Sequence, residues 1–251
     1  MKKAMKAAVV AAGITMLMGS VNMTEAVASK ATNKSAQAAK SSAADKKAVE
    51  AVKAELSKKF ALKNPGDLYI LYVRDKALNG GSEFMYYMNM FQFKSYEDYL
   101  NQAGKLKGPT IKKPDDLPEG YQFVKGNIQP PIVANKDKYE KEVKSEAKGK
   151  AAYFKKIEWK EIGEINLEFA NGKDNIQMQV SHKIDKDAAS NGYRYIKSDK
   201  VDAKTAKKIP DMVRNMLTWS DQDYVYNITT NPGNPLTKEE MIKLAKTAVK
   251  K

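Results

Sequence analysis

The sequence contains no cysteine and a single histidine, His182. The lack of cysteine excludes disulfides, thiolate chemistry, thiolate metal sites and a lipid-modified lipoprotein cysteine. A single histidine excludes a multi-histidine zinc site. We therefore predict that the protein holds no metal and no cofactor. Its stability is expected to come from an ordinary hydrophobic core, which a chain of 251 residues can supply.

Arginine is also scarce. Lysine and arginine together number 44 against 30 acidic residues, for a formal charge of +14, yet the only arginines are Arg74, Arg194 and Arg214. Base readout and bidentate phosphate recognition favour the planar guanidinium group of arginine. The lysine excess therefore predicts no nucleic-acid partner. It indicates either diffuse attraction to an anionic envelope surface, such as wall polymers or lipid headgroups, or simply solubility.

Long apolar runs are missing as well. The stretch "AAVVAAGITMLMG" follows the basic "MKKAMK" and precedes the small residues Ala26 and Ala28. This order is typical of a secretory signal peptide, which we predict over residues 1–28 with cleavage after Ala28. A membrane-spanning helix needs about 20 apolar residues, so an uncleaved anchor is the less favoured alternative. We expect a secreted, extracytoplasmic protein that associates with the cell envelope and has no transmembrane helix in its mature chain.

The remaining chain divides by composition. Residues 29–44 are mainly serine, alanine and lysine, which predicts a disordered linker. Residues 45–63 have the apolar spacing of an amphipathic helix, with Asp45 as a candidate N-cap. Residues 64–251 are predicted to form a single α+β domain.

Several stretches of this domain predict antiparallel strands. The runs "DLYILYVRD" and "EFMYYMNMFQF" flank the turn-forming "KALNGGS". In "EINLEFANGKDNIQMQVSH", apolar and polar residues alternate on both sides of a turn, which predicts a hairpin with one buried face and one wet face. The stretch "LTWSDQDYVYNITT" predicts a final hairpin.

Helix starts are marked by capping residues. Ser95 precedes the short helix predicted in "SYEDYLNQAG". Thr237 and Glu240 form a capping box, and Leu236 with Met241 forms a hydrophobic staple. The predicted fold is a curved antiparallel β-sheet covered by a few helices, ending in a β-hairpin and a capped C-terminal helix.

The sequence offers no candidate catalytic residue. Ser181 and His182 are neighbours in a predicted strand, so their side chains face opposite sides of the sheet. The carboxylates lie at turns and caps, where they have local structural explanations, and no pair is spaced as a general acid and base.

A strand rich in methionine and tyrosine is the candidate binding surface. Methionine is flexible and polarizable, and with aromatic rings it can line a hollow for an apolar ligand. We name Met85, Tyr87, Met90 and Trp219 as candidate ligand-binding residues, on composition alone. The alternative is that they belong to an ordinary sheet core.

Two longer stretches carry a family resemblance. "FQFKSYEDYLNQAGKLKGPTIKKPDDLPEGYQF" and "LTWSDQDYVYNITT…PLTKEEMIKLAK" resemble the opening and closing motifs of a family of unknown function from Gram-positive, spore-forming bacteria. Its members are secreted or form the outer part of anti-sigma factors. The family is distantly similar to the lipoprotein-carrier and sigma-regulator sensor fold, so the resemblance implies a sheet that holds acyl chains or lipoproteins. This chain has no cytoplasmic sigma-binding segment, so the regulator role is not carried over.

These observations favour a secreted, non-catalytic domain that binds an apolar ligand, a lipidated chain or a peptide at the bacterial cell envelope. Two alternatives stay open. One is an envelope hydrolase or inhibitor that uses scattered carboxylates, and the other is a structural protein associated with the wall or the spore.

Overall fold

The computed structural model describes residues 42–184, 192–209 and 213–249. The predicted signal peptide and residues 29–41 of the predicted linker lie outside them. The helices of the described part are α1 (Ala43–Phe60), α2 (Tyr96–Ala103), α3 (Ile132–Ala147), α4 (Ala203–Lys208) and α5 (Lys238–Ala248). The strands are β1 (Leu68–Val73), β2 (Phe84–Met88), β3 (Phe91–Phe93), β4 (Gln122–Gln129), β5 (Ala152–Lys156), β6 (Glu164–Asn171), β7 (Asp174–His182), β8 (Arg194–Ile196), β9 (Asn215–Ser220) and β10 (Tyr224–Thr230).

The strands form two antiparallel sheets. The smaller sheet has the order β2-β1-β5, and the larger has the order β3-β4-β6-β7-β10-β9-β8. The α+β class predicted from the sequence is confirmed, as are the antiparallel pairings β1 with β2, β6 with β7 and β9 with β10. The strands are divided between two sheets, where the sequence predicted one.

Helices cover both faces of the smaller sheet. On one face Val49 and Leu56 of α1 pack against β1 and β5, and on the other face Tyr139 and Val143 of α3 do the same. As a result, every residue of β1 is buried. This explains why the β1 sequence is a continuous apolar run, since a strand buried on both faces needs no polar alternation.

Helix α1 begins slightly earlier than its sequence pattern predicted. The hydroxyl of Ser42 accepts a hydrogen bond from the backbone N–H of Asp45 at 3.0 Å, so Ser42 is the N-cap and Asp45 lies in the first turn. The helix ends at Phe60, and Lys63 has a φ of 51°. The predicted helix over residues 45–63 is therefore displaced toward the N-terminus by two to three residues.

The larger sheet buries one face in the main core. Alternate residues of β6 and β7, among them Ile165, Leu167 and Val180, are almost fully buried. Helices α2 and α5 cover this face with Tyr99 and Leu244. The capping box at the start of α5 is present as predicted.

The opposite face of the larger sheet carries a continuous row of polar side chains, one from each strand. Each member is the direct cross-strand partner of the next, in the order Gln92, Asn127, Asn166, Gln179, Asn227, Thr218 and Arg194. Asn166 donates to Asn127 Oδ1 at 3.2 Å, Asn227 donates to Gln179 Oε1 at 3.3 Å, and the Thr218 hydroxyl donates to Asn227 Oδ1 at 2.8 Å. We call this set the amide row.

The stretch predicted as one strand, "EFMYYMNMFQF", is divided between the two sheets. Its first half is β2 in the smaller sheet, and its second half is β3 in the larger sheet. The chain changes sheets at Asn89 and Met90. Gly66 packs against this crossing with a φ of 83°, and a Cβ atom there would lie 2.4 Å from the ring of Phe91. Glycine is therefore required where the two sheets adjoin.

Candidate functional site

The structure contains a surface depression of about 850 Å³ beside the β9–β10 hairpin. This volume lies in the range of ordinary ligand sites, which is roughly 300–1,000 Å³. Its walls come from the hairpin, from the C-terminal end of α5 and from the segment that follows α2. Its lining includes three aromatic residues and three lysines, Tyr193, Trp219, Tyr226, Lys112, Lys113 and Lys246.

Three aromatic rings form one wall of the depression. Trp219 and Tyr226 are direct cross-strand partners, and their rings stack with centroids 5.3 Å apart and planes inclined by 11°. Tyr193, just before β8, contacts the other side of Trp219 at 5.5 Å between centroids. Tyr226 is buried, whereas Trp219 and Tyr193 are half-buried. The exposed parts of the Trp219 and Tyr193 rings can therefore contact an apolar group.

Asp221 holds this aromatic wall in position. One carboxylate oxygen accepts the backbone N–H groups of Asp223 at 3.0 Å and Tyr224 at 2.8 Å, which fixes the turn between β9 and β10. The other oxygen accepts the hydroxyl of Tyr226 at 2.8 Å. Burial raises the pKa of Tyr226, and this carboxylate raises it further, so the phenol stays protonated and keeps donating.

The opposite wall carries lysines, and helix α2 positions two of them. The hydroxyl of Tyr99, which is fully buried, donates to the carbonyl of Ile111 at 2.9 Å and accepts its N–H at 3.1 Å. The N–H of the next residue, Lys112, donates to the carbonyl of Ala248 at 2.7 Å. This fastens the segment bearing Lys112 and Lys113 to the end of α5, which itself contributes Lys246.

The charge of the depression is mixed, with an excess of lysine. Lys112, Lys113 and Lys246 line it, together with Asp115 and Asp221. Across the ranges that the structure describes, the three lysines form no ion pair within 4.0 Å. Both carboxylate oxygens of Asp221 are already engaged in the hairpin. The arrangement can accommodate a molecule that combines an apolar part with an anionic group.

Of the four residues named from the sequence, Trp219 alone lines this depression. Met85 and Tyr87 lie in the smaller sheet and face α1, where the Tyr87 ring meets that of Phe60 edge to face at 5.5 Å between centroids. Met90 is half-buried at the crossing between the sheets. The structure thus brings Met85 and Tyr87 together with α1 and places Trp219 in the other sheet.

Sequence reasoning missed most of the lining. Tyr226 could have been found, because the alternation on either side of the "SDQD" turn puts it on the same face as Trp219. Lys112 and Lys113 stand in a proline-punctuated stretch without periodicity, and Lys246 is one of many lysines. Their approach to Trp219 depends on long-range contacts such as that of Tyr99 with Ile111.

The described residues show neither a metal cluster nor a membrane-spanning helix. Among them, no three histidine, aspartate or glutamate side chains are grouped to hold a metal ion. No helix in the same ranges has the length and hydropathy needed to cross a bilayer.

Together the fold and the depression define an α+β domain with an aromatic-walled, lysine-lined surface hollow. A family model described as a domain of unknown function, DUF4367, matches residues 111–247, more than half of the chain. The protein belongs to this family. The match begins just before Lys112 and includes the aromatic wall and α5 as far as Thr247. No curated protein and no solved structure matches the chain significantly.

Proposed function

We propose that the protein is a secreted, non-catalytic binding domain that takes up a single-chain anionic amphiphile in the depression beside Trp219. The apolar chain lies against the Tyr193–Trp219–Tyr226 wall, and the anionic headgroup lies near Lys112, Lys113 and Lys246. The juxtaposition of stacked rings with lysines that lack ion pairs among the described residues is the observation that carries this proposal.

Physical chemistry favours this class of ligand over a neutral one. Half-buried rings gain free energy when an apolar chain covers them, at about 25 cal/mol per Å² of apolar surface removed from water. Lysine is a compact point charge, suited to a phosphate or carboxylate headgroup without a demand for bidentate geometry. The lysine-rich composition of the chain adds long-range attraction to the same ligands.

Isothermal titration calorimetry with two lysophospholipids of the same acyl chain tests the proposal. Palmitoyl lysophosphatidylglycerol is anionic, and palmitoyl lysophosphatidylcholine is zwitterionic. We expect the anionic lipid to bind more tightly below its micellar concentration. Trp219→Ala should weaken both lipids by about tenfold or more, because a large aromatic contact is lost.

The lysine contribution is tested by a matched pair of variants on α5. Lys246→Gln should weaken the anionic lipid by up to about fivefold and leave the zwitterionic lipid unchanged, since one exposed charge contributes up to roughly 1 kcal/mol. Lys243→Gln removes the same charge from an exposed position of the same helix that does not line the depression. Equal effects of both variants, or unchanged binding by Trp219→Ala, would overturn the proposal.

The extracytoplasmic location is supported by the N-terminal pattern and by the resemblance to secreted and anti-sigma-factor ectodomains. Export is tested by expressing the full chain in a Gram-positive host and sequencing the N-terminus of the protein recovered from the envelope and the medium. We expect Ser29 as the first residue. Retention of the intact N-terminus in the cytoplasm would contradict export.

A further inference from the structure

Strand β2 forms an edge of the smaller sheet. Within the described ranges it pairs with β1 and with no other strand. The N–H of Val73 donates to the carbonyl of Glu83 at 2.8 Å, and the N–H of Asn89 donates to the carbonyl of Asp67 at 2.9 Å. Backbone groups of an antiparallel strand point alternately to its two sides, so the odd-numbered residues face β1. The even-numbered residues Phe84, Tyr86 and Met88 therefore direct their backbone groups outward.

Ser82 closes one of these three outward positions. Its hydroxyl donates to the carbonyl of Phe84 at 2.7 Å and accepts the N–H of the same residue at 3.2 Å. Two outward positions are left, Tyr86 and Met88, and the residue midway between them is Tyr87. The strand ends at Met88.

The β2 edge lacks the charged residues and prolines that usually hinder an exposed strand from pairing with another chain. Natural edge strands carry lysines, prolines or bulges that hinder pairing with another chain. Residues 84–93 contain no charged side chain and no proline, although 29% of the whole chain is charged. Among the described helices and strands, β1 is the element that contacts β2 extensively, and α1 and α3 lie mainly over β1 and β5.

We propose that β2 pairs with β2 of a second copy of this chain, antiparallel, about a two-fold axis at Tyr87. Tyr86 then faces Met88 of the second copy, and Met88 faces its Tyr86. Each such pair exchanges two N–H to carbonyl bonds, so about four hydrogen bonds join the two smaller sheets into one of six strands.

A second copy fits this edge better than an unrelated strand. The two residues with outward backbone groups, Tyr86 and Met88, are placed symmetrically about Tyr87, so two antiparallel copies of β2 can pair in a register centred on Tyr87. A register centred on Tyr86 would instead need the backbone groups of Phe84, which Ser82 already bonds. The cross-strand pairs would place the sulfur of Met88 against the ring of Tyr86, a favourable contact. Residues 84–93 also bring no charged side chains to this contact, although both chains are strongly basic.

Disulfide capture tests this register, because the chain has no cysteine of its own. Residues at the axis form a non-hydrogen-bonded pair with Cβ atoms about 4.5–5.5 Å apart. The full-length Tyr87→Cys variant should therefore cross-link to a dimer under mild oxidation. Met85→Cys is the matched control on the same strand and the same face. Its two copies would lie about 13 Å apart, four residues out of register, and should not cross-link.

Sedimentation equilibrium of the unmodified full chain is the second readout. We expect a monomer–dimer equilibrium that shifts toward dimer as salt is raised, since salt screens the repulsion between two basic chains. Met88→Lys should weaken dimerisation at least tenfold, whereas Leu62→Lys, which adds the same charge at a residue 70% exposed, should not. A wild-type chain that stays monomeric at all concentrations, or equal cross-linking of both cysteine variants, would overturn the proposal. The wild-type measurement decides even where a variant fails to fold.

Discussion

The two sheets bury their strands in different ways. In the smaller sheet β1 has a helix on each face and is buried throughout, while in the larger sheet β6 has one face in the core and the other in the amide row. Consecutive residues of β1 are therefore all buried, whereas consecutive residues of β6 alternate between buried apolar side chains and partly exposed ones. Apolar composition thus indicates how many faces of a strand are covered, and Met85 and Tyr87 of the neighbouring β2 pack toward α1 on one of the covered faces.

The largest effect is expected from truncations in β1. Ile70→Ala and Leu71→Ala, on opposite faces of the strand, should each lower the free energy of unfolding by about 2–5 kcal/mol, because both side chains are fully buried. Urea denaturation followed by circular dichroism measures both. A loss confined to one of the two would mean that one helix does not cover the smaller sheet.

A smaller loss is expected at the helix that covers the larger sheet. Thr237→Ala removes the hydroxyl that accepts the N–H of Glu240 at 3.2 Å, and the capping box with it. The free energy of unfolding should fall by about 1 kcal/mol. Thr247→Ala, near the other end of α5, is a control with little expected effect. Equal losses in the two variants would show that the cap does not stabilise α5.

The two faces of β6 should respond differently to truncation. Asn166→Ala, in the amide row, should cost about 1 kcal/mol or less, since water can replace the lost hydrogen bonds. Leu167→Ala, one residue along on the buried face, should cost about 2–5 kcal/mol. Thermal unfolding of the two variants side by side gives the contrast. Similar losses would mean that the amide face is covered as fully as the core.

The smallest effect concerns pH and Glu164, beside the amide row. Burial raises the pKa of Glu164, although hydrogen bonds from Asn166 and Gln179 oppose this. Below its ordinary pKa of about 4.3 the carboxyl is protonated in both the folded and unfolded states. As the pH rises from there through the raised folded pKa, the unfolded state ionises first, so the contribution of Glu164 to stability decreases and then stays low.

The measurement is the difference in unfolding free energy between wild type and Glu164→Gln across this pH range. The unfolding free energy of the wild type should decrease relative to that of Glu164→Gln as the pH rises. A flat difference, or one that moves in favour of the wild type, would contradict a raised pKa.

Local signals were enough for much of the fold. Alternation of Ile165, Leu167 and Phe169 predicted β6, and the pairing of Thr237 with Glu240 predicted the start of α5. Both patterns are set by neighbours in the sequence. The crossing from β2 to β3 was missed, because no proline, glycine or charge interrupts "EFMYYMNMFQF".

The candidate site was predictable only in part. Trp219 was named from its residue type, and Tyr226 follows from the hairpin register. Lys112 and Lys246 approach these rings through packing between α2, α5 and the intervening loop, and a single sequence gives no local sign of such contacts. Sequence patterns therefore did not predict the features that depend on contacts between segments far apart in the chain.

The amide row has a consequence for how the larger sheet reaches its correct alignment. If any strand slipped by one residue, its amide or hydroxyl would turn into the apolar interior and lose its partner, at a cost of about 1–3 kcal/mol. A slip of two residues would keep the side chain on the wet face but separate donors from acceptors such as Asn227 and Gln179. The amide row therefore helps to specify the register of all seven strands, because misaligned hairpins are less stable than the native pairing while the sheet assembles.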